Sequence, residues 1–377
     1  MALLQRLLVA LLRVLVAGEH AAGDAMPSPA SGGGGAAVNV EARYARVFCF
    51  GNSLTDTGNN PLLPATAGGP STSPPYGMTF FHRPTGRSSD GRLLIDFIAA
   101  DLLAGANFAV GGATALEPAV LESRGIVSVV PVSLSNETRW FKDTLQLLAS
   151  TTNVNDYFLA LASNHTVEQA AATLVPDIVG VIRSAVIDAI VAGARTVVVT
   201  GMIPLGCEPQ LLALFPAASA ADDDPDTGCD ARFNELAEVH NRELIRMLRR
   251  LRRAFPAVAV HYADFYRPVT AIIASPAKYG FGDTPLAACC GGGGNAYNFD
   301  FAAFCTLPAS TVCADPSKYV SWDGIHYTEA VNKFVARSML RGVLPMPNPI
   351  PSPSLSIPLS SSHEHTGQET SRELATL

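Results

Sequence analysis

Residues 50–54 read Phe50-Gly51-Asn52-Ser53-Leu54 and begin where a short apolar run, residues 46–50, ends. Such a run is typical of a β-strand, and the polar and small residues that follow predict a turn. Ser53 is therefore expected at the carboxyl end of a strand, where open α/β sheets bind their ligands. A Gly-Asn-Ser triplet alone is more often an ordinary turn, and the chain has no Gly-x-Ser-x-Gly elbow. Whether Ser53 is a nucleophile or part of an ordinary turn therefore depends on the residues that the rest of the chain supplies.

A second stretch, Trp322-Asp323-Gly324-Ile325-His326, lies near the other end of the chain. A serine nucleophile needs a base for its proton, and imidazole serves best when a carboxylate orients it. The three-residue spacing of Asp323 and His326 on a turn can place both side chains on one side. Taken alone, the pair is equally typical of a turn that precedes a helix beginning near Thr328. With Ser53, it predicts a Ser–His–Asp arrangement.

Acyl transfer also needs hydrogen-bond donors aimed at the carbonyl oxygen that becomes charged. Gly111-Gly112 offers backbone N–H groups with no side chain in the way, and Asn155 offers an amide donor. Without a catalytic role, the two glycines would simply form a tight turn, and Asn155 with Asp156 would lie in an ordinary loop. We expect Gly112 and Asn155 to complete the site.

Composition excludes several classes of protein. The chain has 377 residues, is 48% apolar and carries a formal net charge of −7, which argues against a nucleic-acid partner. No apolar run reaches the roughly 20 residues of a membrane span. No pair of cysteines has the spacing of a zinc site, so no metal is expected. We also expect no cofactor, and the oligomeric state stays open.

The ends of the chain differ in character from its middle. Residues 1–25 resemble a signal peptide, although a disordered leader remains the alternative. Residues 26–43 are predicted to be a flexible linker, residues 44–344 a single catalytic domain and residues 345–377 a disordered tail rich in Pro and Ser. A secreted protein is expected to pair some of its seven cysteines, but the pairing stays open.

Between the ends, helical and strand patterns alternate. Apolar residues recur at helical spacing over residues 175–190, and residues 196–200 form a buried-strand run. The same order repeats with a helix over residues 244–251 and a strand over residues 258–262. This alternation predicts a parallel sheet covered by helices on both faces.

Cys49 is expected to be a buried thiol. Two glycosylation sequons begin at Asn136 and Asn164.

Over residues 47–342 the chain resembles the plant GDSL esterase/lipases of the SGNH hydrolase superfamily. Several ordered blocks carry the resemblance, and together they are far more specific than any one. The main ones are Phe50-Gly51-Asn52-Ser53-Leu54-Thr55-Asp56-Thr57-Gly58-Asn59, Asn107-Phe108-Ala109-Val110-Gly111-Gly112-Ala113-Thr114, Asn155-Asp156-Tyr157 and Asp323-Gly324-Ile325-His326-Tyr327-Thr328-Glu329-Ala330.

The resemblance implies a three-layer α/β/α, flavodoxin-like parallel sheet and cofactor-free hydrolysis of carboxylic esters. It implies Ser53 as nucleophile and His326 with Asp323 as its base pair. The oxyanion donors would be the N–H groups of Ser53 and Gly112 and the amide of Asn155. It also implies a secreted enzyme that acts on small-molecule or lipid acyl esters.

The chain departs from the family pattern at two connections, besides having Asn52 where the family has Asp. Polar residues 150–153 stand where the family has an apolar strand, so the central strand before Asn155 is predicted to be shortened or missing. Residues 145–151 are expected to replace it or to be irregular. The connection between the helix over residues 93–103 and Asn107 is also short. These gaps favour an alternative, a truncated, weak or inactive member that acts as a binding protein or has no function.

Overall fold

Helices and short parallel strands alternate along the chain, as the apolar periodicity predicts. A computed structural model describes residues 47–98, 105–144, 154–216, 219 and 222–343. The elements in chain order are β1 (Val47–Cys49), α1 (Leu94–Ile98), β2 (Gly105–Asn107), α2 (Pro118–Glu122), α3 (Leu134–Thr144), α4 (Val154–Ala162), α5 (Val167–Val191), β3 (Thr196–Thr200), α6 (Pro209–Leu214), α7 (Ala231–Ala254), β4 (Ala259–Ala263), α8 (Tyr266–Ala274), β5 (Cys290–Gly291), β6 (Thr311–Val312) and α9 (Glu329–Val343).

The strands form three separate pairs. β1 lies parallel to β2, with Val47 opposite Gly105, and β3 lies parallel to β4, with Thr196 opposite Ala259. β5 and β6 form a short antiparallel pair. Within the described part of the chain, no strand joins the β1–β2 pair to the β3–β4 pair. The architecture is thus a mixture of helices and small parallel sheets.

The longest helix shows how local sequence sets the boundaries of an element. Thr166 caps α5 by accepting a hydrogen bond from the Gln169 N–H, while the Gln169 side chain accepts from the Thr166 N–H. The helix ends at Val191, and Gly193 follows with a φ of 105°, a conformation that side-chain-bearing residues rarely adopt. β3 then covers residues 196–200. The helix predicted around residues 175–190 and the strand predicted over residues 196–200 are both confirmed.

One large apolar cluster holds these elements together. α5 and α7 pack against each other, and the strands of both parallel pairs contribute side chains to the same cluster. Burying a Leu, Ile or Phe side chain is worth about 1.5–3 kcal/mol, so this cluster dominates the stability. Its fully buried members include Phe50, Ile178, Ile182, Val197, Leu244, Leu248, Val331 and Val335. None of the described helices is both long and apolar enough to cross a bilayer.

Several predictions fall at or beyond the limits of the described chain. Asn155 lies in the first turn of α4, and no described strand leads into it. The predicted substitute strand over residues 145–151 lies outside the described residues. So do residues 1–43, residues 345–377 and the second half of the helix predicted over residues 93–103, of which α1 is the described part.

Six of the seven cysteines form disulfides. The pairs are Cys207–Cys229, Cys289–Cys313 and Cys290–Cys305. Cys49 is the free thiol, and it is buried as predicted. Burial raises the pKa of Cys49 to about 12, so it stays protonated at neutral pH.

Candidate active site

The turn after β1 presents Ser53. The Asn52 carbonyl oxygen accepts the Thr55 and Asp56 N–H groups at 3.0 and 2.9 Å, and the Asn52 side-chain Oδ1 accepts the Leu54 N–H at 3.1 Å. Asn52 is buried. The neutral amide therefore preserves a turn-forming acceptor that a carboxylate would also supply, which explains how the chain tolerates Asn at this position.

His326 lies directly against Ser53 although 273 residues separate them in the chain. The His326 Nε2 atom is 2.8 Å from the Ser53 hydroxyl oxygen. On the other side of the ring, Nδ1 lies 2.7 Å from the Asp323 Oδ2 atom. A hydroxyl, an imidazole and a carboxylate thus form one hydrogen-bonded series. In this series His326 can take the proton of Ser53 while Asp323 fixes the ring.

Asp323 is completely buried and accepts hydrogen bonds from both backbone and side-chain groups. Its Oδ1 atom accepts the N–H groups of Ile325 and His326 at 3.0 and 2.9 Å, and its Oδ2 atom accepts the Tyr76 hydroxyl at 2.7 Å. Burial by itself raises the pKa of Asp323, but the His326 charge and these donors outweigh it and hold the pKa below its ordinary value. The carboxylate therefore stays charged beneath the imidazole.

The turn that carries Asp323 and His326 is fixed by its neighbours. Its two ends are joined by a 2.7 Å hydrogen bond from the Trp322 N–H to the His326 carbonyl. Cys290, a disulfide cysteine, donates its N–H to the Trp322 carbonyl at 2.7 Å. Gly324 has a φ of 92°, and a Cβ there would lie 2.2 Å from the Phe299 ring. Only glycine fits, since both the backbone conformation and the space exclude a side chain.

The Gly111-Gly112 loop lies beside the nucleophile turn. Gly112 has a φ of 85°, and a Cβ on it would lie 2.5 Å from Val130. None of the described residues accepts a hydrogen bond from the N–H of Gly112 or of Ser53. An oxyanion hole is built from backbone donors of this kind.

A buried carboxylate, Asp56, ties this glycine loop to the nucleophile turn. Its Oδ1 atom accepts the N–H groups of Gly58 and Asn59 at 2.7 and 2.6 Å. Its Oδ2 atom accepts those of Asn60 and Gly111 at 2.8 and 2.7 Å. Burial raises the pKa of Asp56, and the four N–H groups act against that rise. Asp56 thus links the two loops, together with Asn60, whose amide donates to the Gly111 carbonyl at 2.5 Å.

α4 brings Asn155 to the same loop. The Asn155 amide Nδ2 donates to the Ala113 carbonyl at 2.8 Å, one residue after Gly112. The next residue, Asp156, accepts the N–H groups of Ala115 and Leu116 at 2.8 and 3.1 Å. Burial raises the pKa of Asp156 to about 7. Since a primary amide has two N–H groups, Asn155 keeps one beyond its bond to Ala113.

Glu137 of α3 lies beneath the nucleophile turn. Its Oε2 atom accepts the Gly51 N–H at 2.7 Å, while its buried Oε1 atom has no described partner. Complete burial raises the pKa of Glu137 well above its ordinary value. Burial therefore disfavours the charged form of this side chain at the base of the turn.

The structure brings together the predicted residues in two groups. Ser53, His326 and Asp323 form the hydrogen-bonded series, and Asn155 donates to the carbonyl of Ala113, the residue after Gly112. Sequence reasoning missed the supporting residues Tyr76, Asp56 and Glu137. The only signal for them was polarity inside otherwise apolar or turn-like stretches.

A serine held on an imidazole that a buried carboxylate orients is the arrangement used by serine hydrolases. Comparison with known proteins identifies the family. Residues 47–339 match the GDSL-like Lipase/Acylhydrolase family. The chain belongs to this family, and it is an ester hydrolase in that general sense.

Named relatives are similar over most of their length. The chain is 38% identical to the GDSL esterase/lipase At2g27360 of Arabidopsis thaliana over 340 residues, which cover 81% of this chain and 86% of the relative. It is 39% identical to the GDSL esterase/lipase At1g28590 of the same plant, covering 81% and 84%. It is 38% identical to a sinapine esterase of Brassica napus, covering 81% and 87%.

Replacing Glu137 by Gln is expected to stabilise the protein increasingly as the pH rises. The folded-state pKa of Glu137 lies above its unfolded value, so the unfolded chain releases this proton first. Wild-type stability therefore falls from about pH 4.5 upwards until the folded state also ionises. The substituted amide cannot ionise, and its oxygen can still accept the Gly51 N–H. Urea unfolding of both proteins at about pH 5 and about pH 8 measures the difference.

The exposed Glu122 offers a matched control, because Glu122→Gln removes a carboxylate that is already in water. Its stability relative to wild type should hardly change between the two pH values. A Glu137→Gln advantage that stays constant or shrinks with rising pH would contradict a Glu137 pKa raised by burial.

Proposed function

We propose that the protein is a secreted serine esterase that hydrolyses carboxylic esters through Ser53, His326 and Asp323. The observation that carries the proposal is the 2.8 Å contact between His326 Nε2 and the Ser53 hydroxyl. An imidazole nitrogen at this distance from a serine hydroxyl is the geometry that activation of a nucleophile by a general base requires. Membership of an esterase family supports the same chemistry.

In the first half of the reaction, the Ser53 hydroxyl oxygen attacks the ester carbonyl carbon, and His326 Nε2 takes its proton. The tetrahedral intermediate collapses, the bond to the alcohol oxygen breaks, and His326 gives the proton to the departing alcohol. An acyl ester on Ser53 remains. Asp323 stays charged throughout and stabilises the imidazolium that forms twice in the cycle.

In the second half, water attacks the acyl carbonyl while His326 takes one of its protons. The bond to the Ser53 oxygen then breaks, the carboxylic acid leaves, and the serine recovers its proton. In both halves the carbonyl oxygen becomes negative. The N–H groups of Ser53 and Gly112 and the second N–H of Asn155 would donate to it.

Secretion is proposed from the cysteines as well as from the leader-like residues 1–25. Three disulfides are made by six of the seven cysteines, and such bonds persist in oxidising compartments. We also propose that the domain, residues 44–344, has the three-layer α/β/α arrangement of the family. The two parallel strand pairs and the helices around them would be parts of it.

A catalytically weak member is the second candidate, and a specific observation favours it. No described strand leads into Asn155, and its bond to the Ala113 carbonyl leaves it a single amide N–H for a reacting oxygen. Losing one oxyanion donor costs roughly 100- to 1000-fold in turnover. The weak member would retain the Ser53–His326 pair but turn over esters slowly.

Replacing Ser53 by Ala should abolish turnover of p-nitrophenyl acetate and butyrate, because no other group forms the acyl-enzyme. The expected fall in kcat is at least about 1000-fold. Sinapine belongs in the same panel, since a relative is named for its hydrolysis. The exposed Ser123 supplies the control, and Ser123→Ala should keep the wild-type rate. Equal rates for wild type and Ser53→Ala would rule out the mechanism.

A further inference from the structure

We propose that Asn164 carries an N-linked glycan and that Asn136, the other sequon asparagine, does not. Asn164 lies in the exposed turn between α4 and α5, with a φ of 62°. No described residue forms a hydrogen bond with its side-chain amide. An exposed asparagine in a surface turn is the usual setting of an N-linked glycan.

Asn136 has the opposite surroundings. It lies in the first turn of α3, and its Oδ1 atom accepts the N–H and hydroxyl of Ser133 at 2.8 and 2.9 Å. The other two residues of its sequon, Glu137 and Thr138, are buried against the core. A glycan on this half-buried asparagine would have to be accommodated against the helix that supports the nucleophile turn.

The disulfides supply an independent reason to expect the modification. A chain that oxidises six cysteines folds in the compartment where lipid-linked oligosaccharides are transferred to asparagine. In that step, Asn164 Nδ2 forms a bond to the anomeric carbon of the sugar. The lipid pyrophosphate leaves, and Nδ2 loses one proton.

The glycan would sit away from the proposed catalytic residues. Asn155 lies at the start of α4 and Asn164 just beyond its end, and a nine-residue helix is about 13 Å long. We therefore expect the sugar to leave the esterase activity unchanged. The modification and the proposed catalysis can then be tested separately.

The test is intact-mass analysis of the full chain secreted from cultured mammalian cells, before and after a glycosidase that converts a glycosylated Asn to Asp. Wild type and Asn136→Gln should each carry one glycan, and the glycosidase should leave Asp at position 164. Asn164→Gln should carry none. A glycan at position 136, or an unmodified wild-type chain, would overturn the proposal. Esterase activity does not enter the readout.

A different observation concerns Tyr76, and we infer that it is a positioning residue for the proposed Asp323–His326 pair. This inference rests on the proposed esterase function. The Tyr76 hydroxyl donates to Asp323 Oδ2 at 2.7 Å, the same oxygen that faces His326 Nδ1. Both Tyr76 and Asp323 are buried, so water cannot replace this donor.

The surroundings of Tyr76 hold its hydroxyl in place. Its ring packs edge-on against Trp322 with centroids 5.7 Å apart, in a cluster that includes the disulfide cysteines Cys289, Cys290 and Cys305. Burial and the Asp323 charge raise the pKa of Tyr76 well above its ordinary value, so it remains a donor. Removing it would leave Oδ2 with His326 as its one described partner, while Oδ1 keeps its two backbone donors.

Tyr76→Phe is expected to lower kcat roughly 10- to 100-fold while KM changes little, because a hydrogen bond to a buried charge is lost. The rate is measured per active site titrated with a fluorophosphonate, since a fold defect reduces the number of sites and not their rate. Tyr157→Phe is the matched control. It removes a buried hydroxyl that bonds His240 at 2.7 Å, and its rate per site should stay within about twofold.

An unchanged rate per site in Tyr76→Phe, with an active wild type, would overturn the positioning role alone. A wild-type chain that the fluorophosphonate does not modify at Ser53 would overturn the proposed function and this role with it. The two failures are therefore distinguishable in one experiment.

Discussion

Buried carboxylates that accept backbone N–H groups are the constraint on which the rest of the site depends. Asp56 ties the nucleophile turn to the glycine loop, and Asp156 ties α4 to the chain just after that loop. Asp323 closes its own turn around His326. An unpaired buried carboxylate would cost several kcal/mol, so each loop is held where it can supply its N–H groups. Loop-to-loop hydrogen bonds thus set the geometry around Ser53.

This arrangement accounts for the position of Asn155 without a described strand in front of it. The first turn of α4 makes three hydrogen bonds to residues 113–116, one from the Asn155 amide and two to the Asp156 carboxylate. Those bonds fix the amide next to the Gly112 loop from the helix side. The β1–β2 and β3–β4 pairs meet in one apolar cluster although no described strand lies between them. Within the described part of the chain, these hydrogen bonds and the shared apolar cluster therefore hold the site residues in position.

The sequence predicted the parts of this protein that local chemistry determines. Turn formers after an apolar run located Ser53, and the spacing of Asp323 and His326 matched a turn that places both on one side. Helical periodicity predicted α5, because one face of it is apolar along its length. The role of Tyr76 could not be predicted, since its partner lies 247 residues away and a proline-rich stretch resembles a loop. Disulfide pairing was equally inaccessible, since even six cysteines allow about 15 pairings.

Replacing Asn155 by Ala tests most directly whether its amide donates to the reacting carbonyl oxygen. We would compare its kcat for p-nitrophenyl butyrate with that of wild type, per active site titrated with a fluorophosphonate. We expect kcat per active site to fall roughly 100- to 1000-fold, because a donor to the charged carbonyl oxygen is removed. An unchanged rate per site would contradict the proposed oxyanion role of Asn155. It would mean that the amide does not donate to the reacting ester.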